Sequence, residues 1–201
     1  MKLYSPLFNL LGAALCLITL SCTLIGSEPD KKDQLQNLSG TYVSEGLEDW
    51  GNSTYGHRTF TFDKGNWSLK FVLALDPEFN MPVFEFRTLG TYVVQEASTT
   101  VPEAFQTLFY EDKKFVTLLT DDPALIQGFG LASCGLQPKV EQDISASGCA
   151  IWPSVEECHE DHDLLSMDES GKLYFGVRPA DNDMCTADKR PTALLPAVIK
   201  Q

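Results

Sequence analysis

Residues 58–75, "RTFTFDKGNWSLKFVLAL", decide the fold class of this chain. Phenylalanines occupy alternate positions before the turn-forming sequence "DKGN" at 63–66. Apolar residues then return at every second position from Trp67 to Leu73. Because the side chains of a strand point alternately to opposite faces, this pattern predicts a β-hairpin with one apolar face.

The same alternation between short turns recurs along the chain, and helical periods are scarce. Residues 101–109, "VPEAFQTLF", contain aromatic and β-branched side chains, which favour a strand over a helix. Residues 105–122, "FQTLFYEDKKFVTLLTDD", are predicted to form a second hairpin that turns at Glu111 to Lys114. Further strands are predicted within residues 40–47, 82–99 and 171–179.

Roughly eight or nine short strands joined by turns predict an all-β fold. Closing such a meander into a ring removes its exposed edges, so we predict an antiparallel, closed or nearly closed β-barrel. A sandwich of two sheets is the alternative. A barrel of about eight strands leaves an interior that is filled by side chains or holds one small ligand.

The first residues predict export. Residues 1–21 hold Lys2 and an apolar stretch that is shorter than the roughly 20 residues of a membrane span, which is typical of a signal peptide. The sequence "TLSC" ending at Cys22 resembles a bacterial lipobox, so Cys22 is the predicted lipidation site and would attach the protein to a membrane. Ordinary secretion and a retained signal anchor are the alternatives.

Domain boundaries follow from composition. Residues 22–37 are polar and are predicted to be a tether, residues 38–196 the β-barrel domain and residues 197–201 a C-terminal tail. The chain carries 28 acidic and 15 basic residues, a net charge of −13. This acidity disfavours nucleic acid and anionic lipid headgroups as partners. The predicted location is the cell envelope or the extracellular space.

The cysteines support export. Cys16 lies in the predicted signal peptide, and Cys22 is the predicted lipidation site. An even number remains, which in an exported chain predicts two disulfides that brace the C-terminal half. The three possible pairings stay open, and free buried thiols are the alternative. These cysteines are Cys134, Cys149, Cys158 and Cys185.

Four segments together resemble the domain of the adenomatosis polyposis coli down-regulated family, which occurs in an animal membrane-anchored Wnt antagonist and in exported microbial proteins. The resemblance covers residues 38–196, and its most specific part is the ending, "LYFGVRPADNDMCTADKRPTALLP". It implies a calycin barrel, similar to the lipocalins, that binds a lipid or another apolar molecule. The other three segments are "LSGTYVSEG", "RTFTF…NWSLKFVLALDPEF" and "SCGL…SGCAIWPSVEEC".

The alternating apolar residues are the candidate lining of a ligand cavity. Their spacing shows that they share a face, but the same spacing fits a filled core. The alternative is therefore a protein-interaction module with a packed barrel, which would contact a partner through residues 48–57 and 153–163. The candidate lining residues are Phe60, Phe62, Trp67, Leu69, Phe71, Phe84, Phe86, Tyr92 and Phe109.

The resemblance to lipocalin-like barrels also implies a closure of one barrel end. There, Tyr42 in "GTY" would lie under the guanidinium of Arg190 in "KRPT". Such a cation–π contact is worth about 0.5–2 kcal/mol. An exposed Lys-Arg pair is the alternative.

The remaining motifs do not predict chemistry. "CHEDHD", residues 158–163, places His159 and His162 three apart, but a solvated acidic loop is the favoured interpretation, and no metal site is predicted. The chain lacks a Gly-x-Ser-x-Gly elbow, a His-Glu-x-x-His motif and a phosphate-binding glycine loop. We therefore expect a non-catalytic protein that has no catalytic residues and needs no cofactor.

Overall fold

The computed structural model describes residues 30–201. The predicted signal peptide (1–21), Cys22 and the first part of the predicted tether lie outside the described residues. The strands are β1 (Ser39–Ser44), β2 (Glu48–Gly51), β3 (Thr54–Asp63), β4 (Asn66–Ala74), β5 (Pro82–Ala97), β6 (Ala104–Tyr110), β7 (Lys113–Leu118), β8 (Glu141–Asp143), β9 (Glu160–Met167), β10 (Leu173–Phe175) and β11 (Val198–Lys200). The helices are α1 (Lys31–Gln36) and α2 (Pro123–Gly128), with 3₁₀ turns at Leu131–Cys134 and Ala187–Lys189.

Eight antiparallel strands form a closed barrel, which confirms the predicted fold class. The ring runs β3–β1–β11–β10–β9–β6–β5–β4 and returns to β3. A sandwich would leave two edges in each sheet, whereas this ring pairs both sides of every member. The strands β2, β7 and β8 extend the sheet beyond the ring.

The β3–β4 hairpin has the predicted register and turn. Phe62 pairs with Trp67, and Asp63 pairs with Asn66 across a two-residue turn. Lys64 and Gly65 both have positive φ, 47° and 91°, as a twisted two-residue hairpin turn requires. The apolar face of this hairpin points into the barrel.

The second predicted hairpin is wrong, because β6 and β7 do not pair with each other. Both lie along the same edge of β5, where Phe109 pairs with Tyr92 and Lys113 pairs with Leu89. The chain therefore continues in one direction through a β-bulge at Glu111. At this bulge the barrel divides, since β6 goes on to pair with β9 and β7 with β8.

One end of the barrel is a packed core. Tyr42, Phe62 and Tyr92 are at most 5% exposed there. The helix α1 covers this end, with Leu35 fully buried, and the Tyr92 hydroxyl lies 2.9 Å from the Leu35 carbonyl oxygen. Residues 31–36 of the predicted tether are therefore part of the domain, because an apolar side chain at Leu35 fits the open end of the ring.

The predicted C-terminal tail is also part of the barrel. Residues 198–200 form β11, which joins β1 to β10 and completes the ring. Val198 is fully buried. The apolar ending after Pro196 is too short for alternation to predict a strand. In the structure, burial of Val198 holds it against the barrel.

The predicted disulfides are confirmed. Cys134 pairs with Cys149 and Cys158 with Cys185, with sequence separations of 15 and 27 residues. Both bridges brace the C-terminal half, and a loop of the smaller size is expected to stabilise the fold by about 3 kcal/mol. Structural disulfides are typical of proteins that fold outside the reducing cytoplasm. None of the helices within residues 30–201 has the length and apolarity needed to cross a membrane.

Candidate ligand-binding site

A cavity of about 390 Å³ lies between two apolar cores. The first is the packed core at the α1 end, and the second lies under residues 119–158, where Phe84, Phe86 and Trp152 meet. Small-molecule sites typically have volumes of about 300–1,000 Å³ and apolar walls with a few polar groups. The barrel interior is therefore filled at one end and open to a ligand at the other.

Seven of the nine residues predicted for the apolar lining border this cavity. The other two, Phe62 and Tyr92, lie in the packed core beneath it, where their rings meet edge-to-face at 5.2 Å. The alternation identified the inward face, and the position of the residue along its strand decides between core and cavity. The seven residues are Phe60, Trp67, Leu69, Phe71, Phe84, Phe86 and Phe109.

Further apolar residues complete the wall. Phe175 from β10 stacks on Phe60 with ring centroids 3.9 Å apart. Trp152 stacks on Phe86 at 4.8 Å with nearly parallel rings. Trp50, which contacts Phe71, also borders the cavity, so all three tryptophans of the chain line it. Trp152 was missed because it lies in a loop outside any alternating pattern.

A buried ion pair forms part of the polar wall. The β-bulge turns both Glu111 and Lys114 inward, because the extra residue shifts the alternation of the strand by one. Their Nζ and Oε2 atoms are 2.8 Å apart, and both residues are at most 5% exposed. Lys114 Nζ also donates to the carbonyls of Pro153 and Cys158, at 3.1 and 3.0 Å. Lys114 thereby ties the segment after Trp152 to the barrel.

The acidic sequence "CHEDHD" is not the solvated loop that we predicted. Residues from Glu160 onward form β9, and its inward side chains Asp161 and Asp163 are 5% and 6% exposed. Asp161 Oδ2 accepts a hydrogen bond of 2.9 Å from Arg178 Nη1, and Asp163 Oδ1 accepts one of 2.9 Å from the Gly176 amide. The period of two shared by Asp161, Asp163 and Leu165 was the signal that could have placed them inside.

Burial perturbs the pKa of two carboxyl groups in this wall. Burial, reinforced by the Asp161 carboxylate and opposed by Lys114, raises the pKa of Glu111 to about 7. Burial also raises the pKa of Asp163 to about 6, although Arg178 acts in the opposite direction. The polar wall therefore holds carboxyl groups that exchange protons near neutral pH.

A second buried ion pair lies at the boundary of the cavity. Arg58 Nε lies 2.9 Å from Glu48 Oε2, and Arg58 Nη2 lies 2.7 Å from Glu48 Oε1. The remaining nitrogen, Nη1, is buried without a hydrogen-bond partner, and it is the only such side-chain atom in the described part of the chain. Leaving a buried donor unpaired costs roughly 1–3 kcal/mol. Arg58 lines the cavity beside Phe60 and Phe175, whose ring centroids are 5.8 and 5.9 Å from Cζ.

The mouth of the cavity is built from three loops. The exposed residues that border the cavity are Asn52, Ile151 and Ala180, one from each loop. Asn182 Nδ2 donates to the Ile151 carbonyl over 3.3 Å and so links two of these loops. The disulfides anchor the same two loops, because Cys149 precedes Ile151 and Cys185 follows Asn182.

The predicted contact of Arg190 with Tyr42 is wrong. Lys200 Nζ, from the adjacent strand β11, lies 5.8 Å from the centroid of the Tyr42 ring. Arg190 instead donates to the carbonyls of Thr107 and Asp163 and so joins β6 to β9. The error follows from the missed strand β11, which brings a different cation to Tyr42.

Of the two predicted partner-binding loops, residues 48–57 are largely strand, whereas residues 153–163 are a loop as far as His159 and strand from Glu160. The first includes β2 and the start of β3, and the second includes the start of β9. Within residues 30–201, no group of three or more His, Cys, Asp or Glu side chains has a geometry that would hold a metal ion. No known family model matches the chain, and no curated protein matches it either.

Proposed function

We propose that this protein is an exported, non-catalytic binding protein that carries or senses an acyl chain or a similar apolar ligand inside its barrel. The observation that carries the proposal is the 390 Å³ cavity with an aromatic wall. One water occupies about 30 Å³ in the liquid, so the cavity has room for roughly a dozen non-hydrogen atoms. That size fits a short acyl chain or a compact apolar molecule.

The proposed location is the cell envelope or the extracellular space, with a lipid on Cys22 as the membrane anchor. Two structural disulfides support folding in an oxidising compartment. The sequence before Cys22 supports the anchor, and the resemblance to the adenomatosis polyposis coli down-regulated domain supports lipid binding. The alternative role, a protein-interaction module with a filled barrel, is less well supported because the interior contains a cavity.

Ligand binding to the folded state raises the melting temperature, and this provides a test. We expect fatty-acyl compounds to raise the melting temperature of the wild type and to change the emission of the three cavity tryptophans. Leu69→Trp fills the cavity and should abolish the thermal shift. Val93→Trp is the matched control, because Val93 is 44% exposed and does not border the cavity.

Native mass spectrometry and organic extraction of the purified protein give an independent readout. A co-purifying lipid that is lost in Leu69→Trp and kept in Val93→Trp would support the proposal. No co-purifying lipid, together with no thermal shift for any acyl compound, would contradict it.

A further inference from the structure

Each cation in the polar wall already has a carboxylate partner. Arg58 is paired with Glu48, Lys114 with Glu111 and Arg178 with Asp161. An added anion would therefore meet no free cation. An added cation would meet only Asp163, whose Oδ1 already accepts hydrogen bonds from two backbone amides. Either charge would be poorly compensated in this buried site, which is unfavourable. The lining cations are Arg58, Lys114 and Arg178, and the lining anions are Glu111, Asp161 and Asp163.

The wall also offers unused hydrogen-bond donors. Arg58 Nη1 has no partner although its side chain is only 4% exposed. Arg178 uses Nε for Asn182 and Nη1 for Asp161, and no residue within 30–201 accepts a bond from its Nη2. Arg178 keeps 24% of its side chain accessible while it borders the cavity. Arg178 therefore presents a donor to the cavity directly, and the buried Nη1 of Arg58 reaches a ligand oxygen after a small shift of its guanidinium group.

The same wall offers unused acceptors. Asp161 bonds through Oδ2 and Asp163 through Oδ1, and Glu111 pairs with Lys114 through Oε2. In the described part of the chain, the second oxygen of each carboxyl group has no hydrogen-bond partner. A ligand that both accepts and donates would satisfy this wall better than one that only accepts. A hydroxyl group does both and carries no charge.

Building on the proposed function, we propose that the ligand is an uncharged amphiphile whose hydroxyl-bearing head lies against Arg58, Arg178 and the carboxyl groups of β9. Its apolar chain lies among the aromatic rings of the cavity. A medium-chain alcohol has this chemistry and also fits the size of the cavity. Fatty-acid anions and alkylammonium ions of the same length are the disfavoured classes.

The test compares three ligands of one chain length: 1-decanol, decanoate and decylamine, titrated at pH 8 into the full-length protein with tryptophan emission as the readout. We expect 1-decanol to bind at least about tenfold more tightly than either charged compound, because each charged head adds an unpaired buried charge. Arg58→Lys keeps the pairing with Glu48 but removes the Nη1 donor. It should weaken 1-decanol binding roughly three- to tenfold, the loss of about one hydrogen bond.

Arg87→Lys is the matched control for this substitution. Arg87 also makes a two-point ion pair, with Glu141, and its Cζ lies 4.0 Å from the centroid of the Phe115 ring, but it does not border the cavity. It should leave all three affinities unchanged. Arg178→Lys, at a partly exposed position, provides a second test should Arg58→Lys lower the melting temperature strongly.

The outcomes separate the inference from the proposed function. Tight binding of decanoate or decylamine, equal to that of 1-decanol or better, would overturn the uncharged head while the carrier role stands. An affinity for 1-decanol that is unchanged in both Arg58→Lys and Arg178→Lys would overturn the assignment of these arginines. Absence of binding by all three compounds would count against the carrier role itself.

Discussion

Glu111 shows how a single residue couples the cavity to pH. Its carboxyl group has an ordinary pKa of 4.5, which burial raises to about 7 in the folded protein. The folded state therefore binds this proton more tightly than the unfolded state does. The corresponding stability is fully present below pH 4.5 and is lost as the pH rises through about 7. Asp163, with a pKa raised from 3.8 to about 6, acts in the same direction.

We expect Glu111→Gln to flatten the pH dependence of stability. In the wild type, the contribution of Glu111 makes the free energy of unfolding fall between about pH 4.5 and pH 7, and a neutral amide removes that contribution. Chemical denaturation at a series of pH values measures how the free energy of unfolding changes with pH.

Glu157→Gln is the control for Glu111→Gln. Hydrogen bonds from the Ser154 side chain and amide lower the pKa of Glu157, so its contribution is lost only as the pH falls below the ordinary range. This variant should leave the slope above pH 4.5 unchanged. An unaltered slope in Glu111→Gln would show that the carboxyl group of Glu111 does not hold the proton.

At the scale of the element, the long strand made of β6 and β7 positions the polar wall. Its bulge lies directly over Gly90 of β5, and a Cβ atom at Gly90 would overlap the Tyr110 carbonyl oxygen. The same carbonyl accepts a 3.0 Å hydrogen bond from Trp67 Nε1. Only glycine allows β5 and the bulge to approach so closely.

We expect Gly90→Ala to destabilise the protein by about 1–3 kcal/mol, because the backbone of the bulge must move to accept the methyl group. Gly46→Ala is the matched control, since a Cβ atom there meets nothing within 4 Å, and its effect should be within about 0.5 kcal/mol. Denaturant unfolding measures both. Equal stabilities of the two variants would argue against a close approach at Gly90.

The elements differ in how far the sequence predicts them. The β3–β4 hairpin is predictable because alternation and turn chemistry agree between Phe60 and Leu73. Residues 111–114 have the composition of a turn. Only the pairing of β6 and β7 with the same strand, β5, at Gly90 shows that the chain continues in one direction. Local composition carries no information about the partner strand, so the hairpin prediction failed there.

The candidate site is predictable only in its apolar half. Arg58 and Asp163 share the inward face with Phe60 and Leu165, but a hydrophobicity pattern assigns charged residues to the solvent. Their burial depends on partners that are distant in sequence. Pro196 is an example, because its carbonyl oxygen accepts a hydrogen bond of 2.7 Å from Arg58 Nη2. Such pairings become visible only when the ring is closed.

At the scale of the whole molecule, β11 determines whether the barrel is a ring. It pairs Tyr42 with Lys200 on one side and Leu173 with Val198 on the other. Without it, β1 and β10 would each present an unpaired edge, and the core beside Val198 would be open to water.

We expect removal of residues 197–201 to cost more than about 3 kcal/mol, since it removes a buried side chain worth about 1.5–3 kcal/mol together with the hydrogen bonds of two ladders. Val198→Ala should lower the free energy of unfolding by part of that amount. Ile199→Ala, a substitution on the outer face, should lower it by less. Thermal unfolding followed by circular dichroism compares the three. Full stability of the shortened chain would restore the tail interpretation.

The pairing of β1 with β11 also determines how this protein reaches its native state. Segments near residues 43 and 199 must find each other before the ring exists, and contacts between such distant segments are characteristic of slow folders, on the scale of milliseconds to seconds. During that delay the open flanks of β1 and β10 accept a strand from any neighbour, including the β11 segment of a second copy. Concentrated refolding should therefore yield strand-exchanged dimers, and dilution should suppress them.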